Sequence, residues 1–396
     1  MIVLKYGGSS LATSEHIKRV AEHLKYVKEN IDNKLVVVVS AMGKTTNNLI
    51  GLANEISSKP NPRELDALCA NGENISASML SIALGEIGVK AISFNGNQVP
   101  IKTNGSFTKS YIKSINPNKI LKKLDKGYIV IITGFQGIDR NGNTTTLGRG
   151  GSDTTAVALA SVLKCKCEIY TDVEHIFTCD PRIVSDAKPI KKIGYEEMIE
   201  LALGGAKELE PRSVELGKKY GIEIYLGKSL ELNKEKGTIV MDRSLEHEHI
   251  SGLTLKENIA SVSICLDKSK SSAIEKILEL NKQQLNNFDM LSINTNGNLK
   301  FISFLIDKNK SESLLKTLEE KKLLKKIRSL EINNLSKIVI AGLGFITHPN
   351  LANDVIQTLS KYNIFNLSIS EFALSITVEK AKGLEILEKL KNRFDL

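Results

Sequence analysis

The chain has 396 residues, more than a single hydrophobic core usually holds, so two or three domains are expected. Hydrophobic residues make up 41% and charged residues 25%, a globular composition that excludes a disordered chain. The net charge of +9 is scattered as single lysines and pairs such as Lys122-Lys123 and Lys325-Lys326, with no tryptophan, so neither nucleic acid nor a membrane surface is an expected partner.

The first pattern is an apolar strand, Ile2-Val3-Leu4, running into Lys5-Tyr6-Gly7-Gly8-Ser9-Ser10. A strand at residue 2 leaves no room for a leader, and no apolar run reaches membrane-spanning length, so a cytoplasmic protein is expected. Ile17, Val20, Ala21 and Leu24 form the stripe of an amphipathic helix, with Ser14 as its expected N-cap. A second apolar strand, 35–39, leads into Ser40-Ala41-Met42-Gly43-Lys44-Thr45-Thr46. Gly43-Lys44-Thr45 resembles the end of a P-loop, but the glycine required five positions earlier is Val38, so Walker-type binding is rejected. No G-x-G-x-x-G follows the first strand either, which argues against a dinucleotide oxidoreductase. One helix is expected from about Arg63 to Gly85. Its Glu73, beside Gly72, lies either on a solvated face or aimed into a cleft.

A third strand, 128–132, leads into Thr133-Gly134-Phe135-Gln136-Gly137. Next comes Thr146-Leu147-Gly148-Arg149-Gly150-Gly151-Ser152-Asp153-Thr154-Thr155 ahead of an apolar helical run. Glycines that permit close approach, a guanidinium fork and a helix N-terminus together suit an anion; a plain glycine turn with an incidental arginine is the alternative. A fourth strand, 168–170, ends in Thr171-Asp172, where a carboxylate could act on a metal–phosphate, and in the loop that follows Pro181 adds stiffness and Arg182 a second anion contact; a plain polar loop with a Pro-Arg turn is the alternative. His175 reads as a surface or capping histidine. The five cysteines, Cys69, Cys165, Cys167, Cys179 and Cys265, have neither zinc spacing nor an even count and read as reduced structural thiols. Apolar strands without alternation, separated by amphipathic helices, predict a three-layer α/β domain with ligands beyond the carboxyl ends of the strands.

A polar tract, 245–251, reads as a linker, its His247 and His249 solvated. Beyond it the pattern is β-α-β-β-α-β: 259–266, a helix from Ser271, 289–294, 299–306, a helix from Ser311 and a strand near 327–332. Asn296-Gly297 is the hairpin signal between the middle strands. A second such unit follows: 337–341, a helix from Pro349, 365–370, 374–378 and a helix from Lys380, with no final strand. This predicts an imperfect repeat of ferredoxin-like units.

The motifs at 5–10, 39–43 (Val-Ser-Ala-Met-Gly), 72–76 (Gly-Glu-Asn-Ile-Ser), 134–137 (Gly-Phe-Gln-Gly), 146–156 and 171–184, in this order and spacing, resemble the aspartokinase family. The resemblance implies an amino-acid kinase domain over 1–245 and two ACT domains, 252–334 and 335–396. It further implies transfer of the ATP γ-phosphoryl group to the side-chain carboxylate of L-aspartate, the first step towards lysine, threonine and methionine. Mg²⁺ would be carried by ATP rather than by a protein cage. The family assigns Lys5 and Asp153 to catalysis, and Lys5, Tyr6, Gly7, Gly8, Ser40, Thr171, Asp172, Phe177, Asp180, Pro181 and Arg182 to the nucleotide. It assigns Thr45, Glu73, Arg149, Gly150, Gly151 and Ser152 to aspartate, with Glu73 facing the ammonium and Arg149 the α-carboxylate. Asp267, Asn287, Asp289, Ser370 and Glu371 match positions of an effector site for lysine, alone or with threonine, and the ACT pair implies a homodimer or a dimer of dimers; units that only dimerise are the alternative.

There are departures. Ser9 replaces threonine, and Glu174-His175 replaces Asp-Gly, which is expected to reshape the nucleotide loop. Glu210 precedes Pro211-Arg212 in place of another residue, Asp267-Lys268-Ser269-Lys270 lacks a Pro-Gly, Asn350 replaces a glycine, and Ile369-Ser370 replaces Thr-Ser. Another amino-acid kinase, and an inactive ACT-type amino-acid sensor, are the alternative readings; intact Lys5, Arg149 and Asp172 speak against the sensor.

Overall fold

Apolar runs too short for helices become the strands of a twisted sheet. The computed structural model describes residues 1–231, 235–242, 249–283 and 288–396. The chain forms two compact units, one of Met1–Thr178 with Ala187–Leu245, the other of Cys179–Asp186 with Glu246–Leu396.

The first unit is built on an eight-stranded sheet. Ile2–Tyr6 lies at its centre, paired in parallel with Leu35–Val39 on one side and Lys166–Thr171 on the other. Ile129–Thr133 and then Ala91–Phe94 extend one wing. Ile224–Lys228, Gly237–Met241 and Lys192–Gly194 extend the other. Because successive strand residues face opposite sides, Ile2, Leu4 and Tyr6 share a core with the helices Ser14–Asn30 and Asn71–Glu86. Lys5 lies on the opposite face, towards the helix Gly151–Leu163. Every residue of Leu35–Val39 is inaccessible, as expected for a strand covered on both faces. The chain leaves the central strand on one side first and returns on the other much later, so a topological switch point, and hence a crevice, lies at the carboxyl end of Ile2–Tyr6.

Two local expectations are corrected. The first helix is capped by Thr13, not Ser14: Thr13 is extended (φ −136, ψ 166) and its hydroxyl accepts the His16 N–H, whereas Ser14 is already helical. The helix expected over 63–85 is two, Pro62–Cys69 and Asn71–Glu86, because Asn71 Nδ2 bonds back to the carbonyls of Ala67 (2.9 Å) and Leu68 (3.2 Å) and competes with the helical ladder.

A small four-stranded sheet, in the order Ile112–Ile115, Ile101–Thr103, Gln136–Ile138, Thr144–Thr146, has no counterpart in the sequence reading. Buried Asp66 anchors it: its carboxylate accepts from the amides of Thr108 and Thr146 and from the Thr146 hydroxyl at 2.6 Å. That anchor fixes the chain immediately before the Arg149 turn.

The second unit is one continuous antiparallel sheet in the order Asp289–Asn296, Leu299–Asp307, His249–Asp267, Ile327–Leu343, Ala373–Glu379, Ile364–Ile369. Asn296 pairs with Leu299 across a two-residue turn in which Gly297 has φ +57, as the hairpin signal predicts. The two βαββαβ patterns share their central strands. Ile327–Leu343 runs unbroken through 334–335, and residues 253–255 pair with 338–340, supplying the strand that the second pattern lacks in sequence. Residue 252 likewise lies inside a strand. The expected linker, 245–251, falls mostly outside the described residues, as does His247; His249 starts the long strand.

Candidate active site

Lys5 is the fourth residue of the central strand, and its Nζ meets Asp153 Oδ1 at 2.6 Å, with both side chains about nine-tenths buried. Asp153 stands in the first turn of the helix Gly151–Leu163, where unpaired N–H groups and the positive end of the dipole favour an anion. Gly150 caps that helix in a left-handed conformation (φ 67, ψ 8), which glycine adopts without strain.

The glycines after the central strand pack rather than merely bend. A Cβ on Gly8 would lie 2.7 Å from the Ala41 carbonyl oxygen, so the loops after the first two strands touch backbone to backbone. The Gly43 N–H donates to Gly8 O at 2.9 Å and closes that contact. The Gly7 N–H donates to Tyr170 O at 3.1 Å, so of the two glycine amides assigned to phosphates that of Gly7 is already engaged. Tyr6 points into the core, stacked on Tyr170 at 5.2 Å with its hydroxyl on His23 Nδ1 at 2.7 Å; any nucleotide contact from it falls to the backbone.

Glu73 is 3% exposed. Its Oε1 accepts the Ala41 N–H at 3.0 Å, while Oε2 is buried and meets no donor. Burial pushes its carboxyl up to about 7, against the lowering effect of the Ala41 amide and its own. The solvated-face alternative is thereby excluded. A buried carboxylate oxygen with no donor has acceptor capacity left for a cationic ligand or for a proton. Thr45 Oγ1 donates to Met42 O at 2.7 Å, leaving only its lone pairs for a ligand, and the Ser40 amide donates to Tyr6 O at 3.2 Å. Ser152 packs so closely that a Cβ on Gly134 would lie 2.6 Å from its Oγ, and Gly151 is pressed against Leu147 and Phe135.

Arg149 is exposed, at the tip of the turn. Its loop is held from below by Arg212, whose guanidinium donates to Leu147 O at 2.7 Å and to Ser110 O at 3.0 Å. Sequence reasoning missed Asp66 and Arg212, whose partners lie far away in sequence. It also assigned no role to Thr133 and Thr154, whose buried hydroxyls have no partner; Thr133 ends its strand, and Thr154 stands in the first turn of the helix Gly151–Leu163.

Asp172 is exposed at the end of Lys166–Thr171 and accepts the Thr171 hydroxyl at 2.9 Å. Phe177 is half-buried, edge-on to His175 at 6.2 Å. His175 has no positive φ, and Glu174 reaches Lys228 at 3.5 Å, so this loop is not held to a glycine-only conformation. Asp180, Pro181 and Arg182 fall in the second unit, where the Arg182 guanidinium forks onto Asp180 at 2.8 and 2.6 Å. Among the described residues no group of three histidine, cysteine, aspartate or glutamate side chains forms a metal cage.

In the second unit, Asp289 is ion-paired at 2.7 Å with Lys337, whose side chain is 7% exposed. Asp267 stands 3.6 Å from Lys270 and 3.8 Å from Arg328, Glu371 accepts the Thr347 hydroxyl at 3.1 Å, and the Ser370 hydroxyl bonds Ala373. Asn287 lies outside the described residues.

Residues 1–228 match the family described as the amino acid kinase family. The aspartokinase of Bacillus sp. (strain MGA3) is 40% identical over 403 residues, spanning 100% of this chain and 97% of that protein. Aspartokinase III of E. coli in complex with aspartate and ADP (R-state) superposes with a TM-score of 0.83 at 24% identity, covering 100% of both chains. Its complex with lysine and aspartate (T-state) superposes with a TM-score of 0.75 at 24% identity, over 100% of this chain and 99% of that one. A family match over more than half the chain, with a relative of this identity along its whole length, means that the protein belongs to the amino acid kinase family and, within it, to the aspartokinases.

Proposed function

We infer that the protein transfers the γ-phosphoryl group of ATP to the side-chain carboxylate of L-aspartate, giving ADP and 4-phospho-L-aspartate. The observation that carries this reading is the pairing of a strand-end Lys5–Asp153 with the donorless Glu73 Oε2 in the same domain: one group for phosphoryl charge, one for an amino-acid ammonium. The acceptor carboxylate, with a pKa of about 4, is already ionised and nucleophilic near neutrality, so no general base is needed. Lys5 faces the position where charge develops on the phosphoryl group in flight, and Asp153 holds its ammonium in place. Mg²⁺ would enter on the nucleotide phosphates, with Asp172 and Asp153 as the carboxylates that would meet it. When bound, the ion would neutralise negative charge on the nucleotide phosphates.

Arg149 forks onto the α-carboxylate of aspartate in this reading. Because Arg149 is exposed, water screens the interaction, and Arg149→Ala is expected to raise the aspartate KM roughly 30-fold while the ATP KM moves less than about threefold. Steady-state kinetics with each substrate varied in turn checks this; equal shifts in both constants contradict the role.

The reaction itself is tested by an ATP- and Mg²⁺-dependent hydroxamate assay with L-aspartate, L-glutamate and N-acetylglutamate. Aspartyl hydroxamate alone is the expected product, and its absence with pure protein overturns the reading. The same assay addresses the second unit, for which we propose feedback by lysine, alone or with threonine. Activity indifferent to both at millimolar concentration would remove that role, and the buried Lys337 on Asp289 is the feature that any cationic effector must displace. A homodimer or dimer of dimers through this unit is expected in sedimentation velocity, and a monomer at assay concentration refutes it. Among the described residues no helix is long and apolar enough to cross a membrane.

A further inference from the structure

Glu210 is the residue before Pro211 and caps the helix Pro211–Tyr220. Its side chain reaches over the turn at Gly150. A Cβ built on Gly150 would lie 2.6 Å from Glu210 Cβ and 2.9 Å from both its Cγ and Oε2. Gly150 is therefore glycine for two reasons, its φ of +67 and the side chain laid across it. The turn that Glu210 covers is the one that carries Arg149 and opens onto Asp153.

Arg212, two residues on, grips the same turn through Leu147 O and Ser110 O, with its guanidinium 4.7 Å from the Tyr111 ring centroid. Two of its guanidinium N–H groups are engaged on those carbonyls, and what reaches the Glu210 carboxylate from Arg212 is a backbone N–H and the field of its charge. The charged groups that face Glu210 are Asp153 from the helix Gly151–Leu163, and Arg212 and Glu215 from its own helix. Burial pushes the Glu210 carboxyl up, Arg212 draws it back, and Asp153 and Glu215 push it further up.

We propose that Glu210 is a specificity-determining residue of the amino-acid side of the site: its carboxylate, laid against Gly150, subtracts from the positive field that the Arg149–Asp153 turn offers an anionic substrate. This rests on the assigned aspartate kinase reaction. A negative charge there weakens every acidic ligand, and most of all a dicarboxylate that lacks an ammonium group. Glu210 thus favours a substrate of net charge −1, such as L-aspartate, over one of net charge −2, such as succinate.

The test is Glu210→Gln, which keeps the packing over Gly150 and removes the charge. At pH 8.5 its aspartate KM is expected to fall about threefold and the succinate inhibition constant by more, with the ATP KM changing less than either. The gap to the parent narrows as pH falls and the parent's own Glu210 takes up a proton. Glu210→Ala separates charge from packing: a fall like that of the glutamine variant supports the proposal, and a rise in KM assigns Glu210 to packing and refutes it. An aspartate KM for Glu210→Gln equal to that of the parent across pH 6–9, or equal shifts in both substrate constants, also overturns it. A parent that binds aspartate in calorimetry but forms no hydroxamate refutes the assigned reaction alone; a parent that does neither refutes both.

Discussion

Lys5→Met is expected to lower kcat by about three orders of magnitude, with changes of less than about tenfold in either KM. The lysine ammonium is fixed rather than mobile: strand pairing on both sides holds its Cα, and Asp153 holds its Nζ at 2.6 Å. A charge preorganised in this way costs no reorganisation when the phosphoryl group carries its greatest spread of negative charge, so its loss appears in the chemical step. Methionine keeps the length and apolar stem of the chain, which isolates the charge. The substitution also strands Asp153, nine-tenths buried, without its cation, so the variant should lose stability in urea as well. Lys5→Met/Asp153→Asn is expected to recover much of that stability and none of the kcat. Single-turnover kinetics beside equilibrium denaturation measures both; recovery of activity with stability would mean that Lys5 serves the fold alone.

Lys5 was legible in the sequence, and the reason is geometric. Val and Ile runs announce strands buried on both faces, and a lysine at the end of such a strand has only the crevice as a polar destination. Glu73 was not legible by pattern. The helix Asn71–Glu86 is apolar on several sides, so no hydrophobic stripe tells its buried face from its exposed one, and only the family motif pointed to a ligand role. The small sheet around Asp66 was invisible because its strands have three or four residues and carry threonine, lysine and glutamine, with no period to read. In the second unit, the sequence reading ends one strand near 332 and begins the next at 337, yet Asn333-Asn334 lies within Ile327–Leu343, where long antiparallel pairing with His249–Asp267 overrides local composition.

Glu73→Gln provides the sharpest separation of function from stability. In the free protein the Glu73 carboxyl titrates at about 7, because burial penalises its charge more than the Ala41 amide favours it. A bound ammonium reverses that balance, so aspartate binds the ionised form. The aspartate KM of the parent is therefore expected to be flat above pH 7 and to rise towards tenfold per unit below it. Glutamine keeps an Oε1 that can accept the Ala41 N–H, but presents a neutral amide to the substrate ammonium. The aspartate KM at pH 8 is expected to rise by about two orders of magnitude, and its break near pH 7 to vanish. Stability should move the other way. Because the folded carboxyl titrates at about 7 and an unfolded one near 4.5, the native state holds the extra proton between those values. The parent thus loses stability as pH rises through that window, by roughly 3 kcal/mol at most for an isolated group of this kind. The glutamine variant does not bear that loss, and it should denature at higher urea than the parent at pH 8, with the difference shrinking to nothing by pH 4.5. A variant with a raised aspartate KM and lowered stability at pH 8 would make Glu73 a support of the Ala41 turn rather than the ligand of the substrate ammonium.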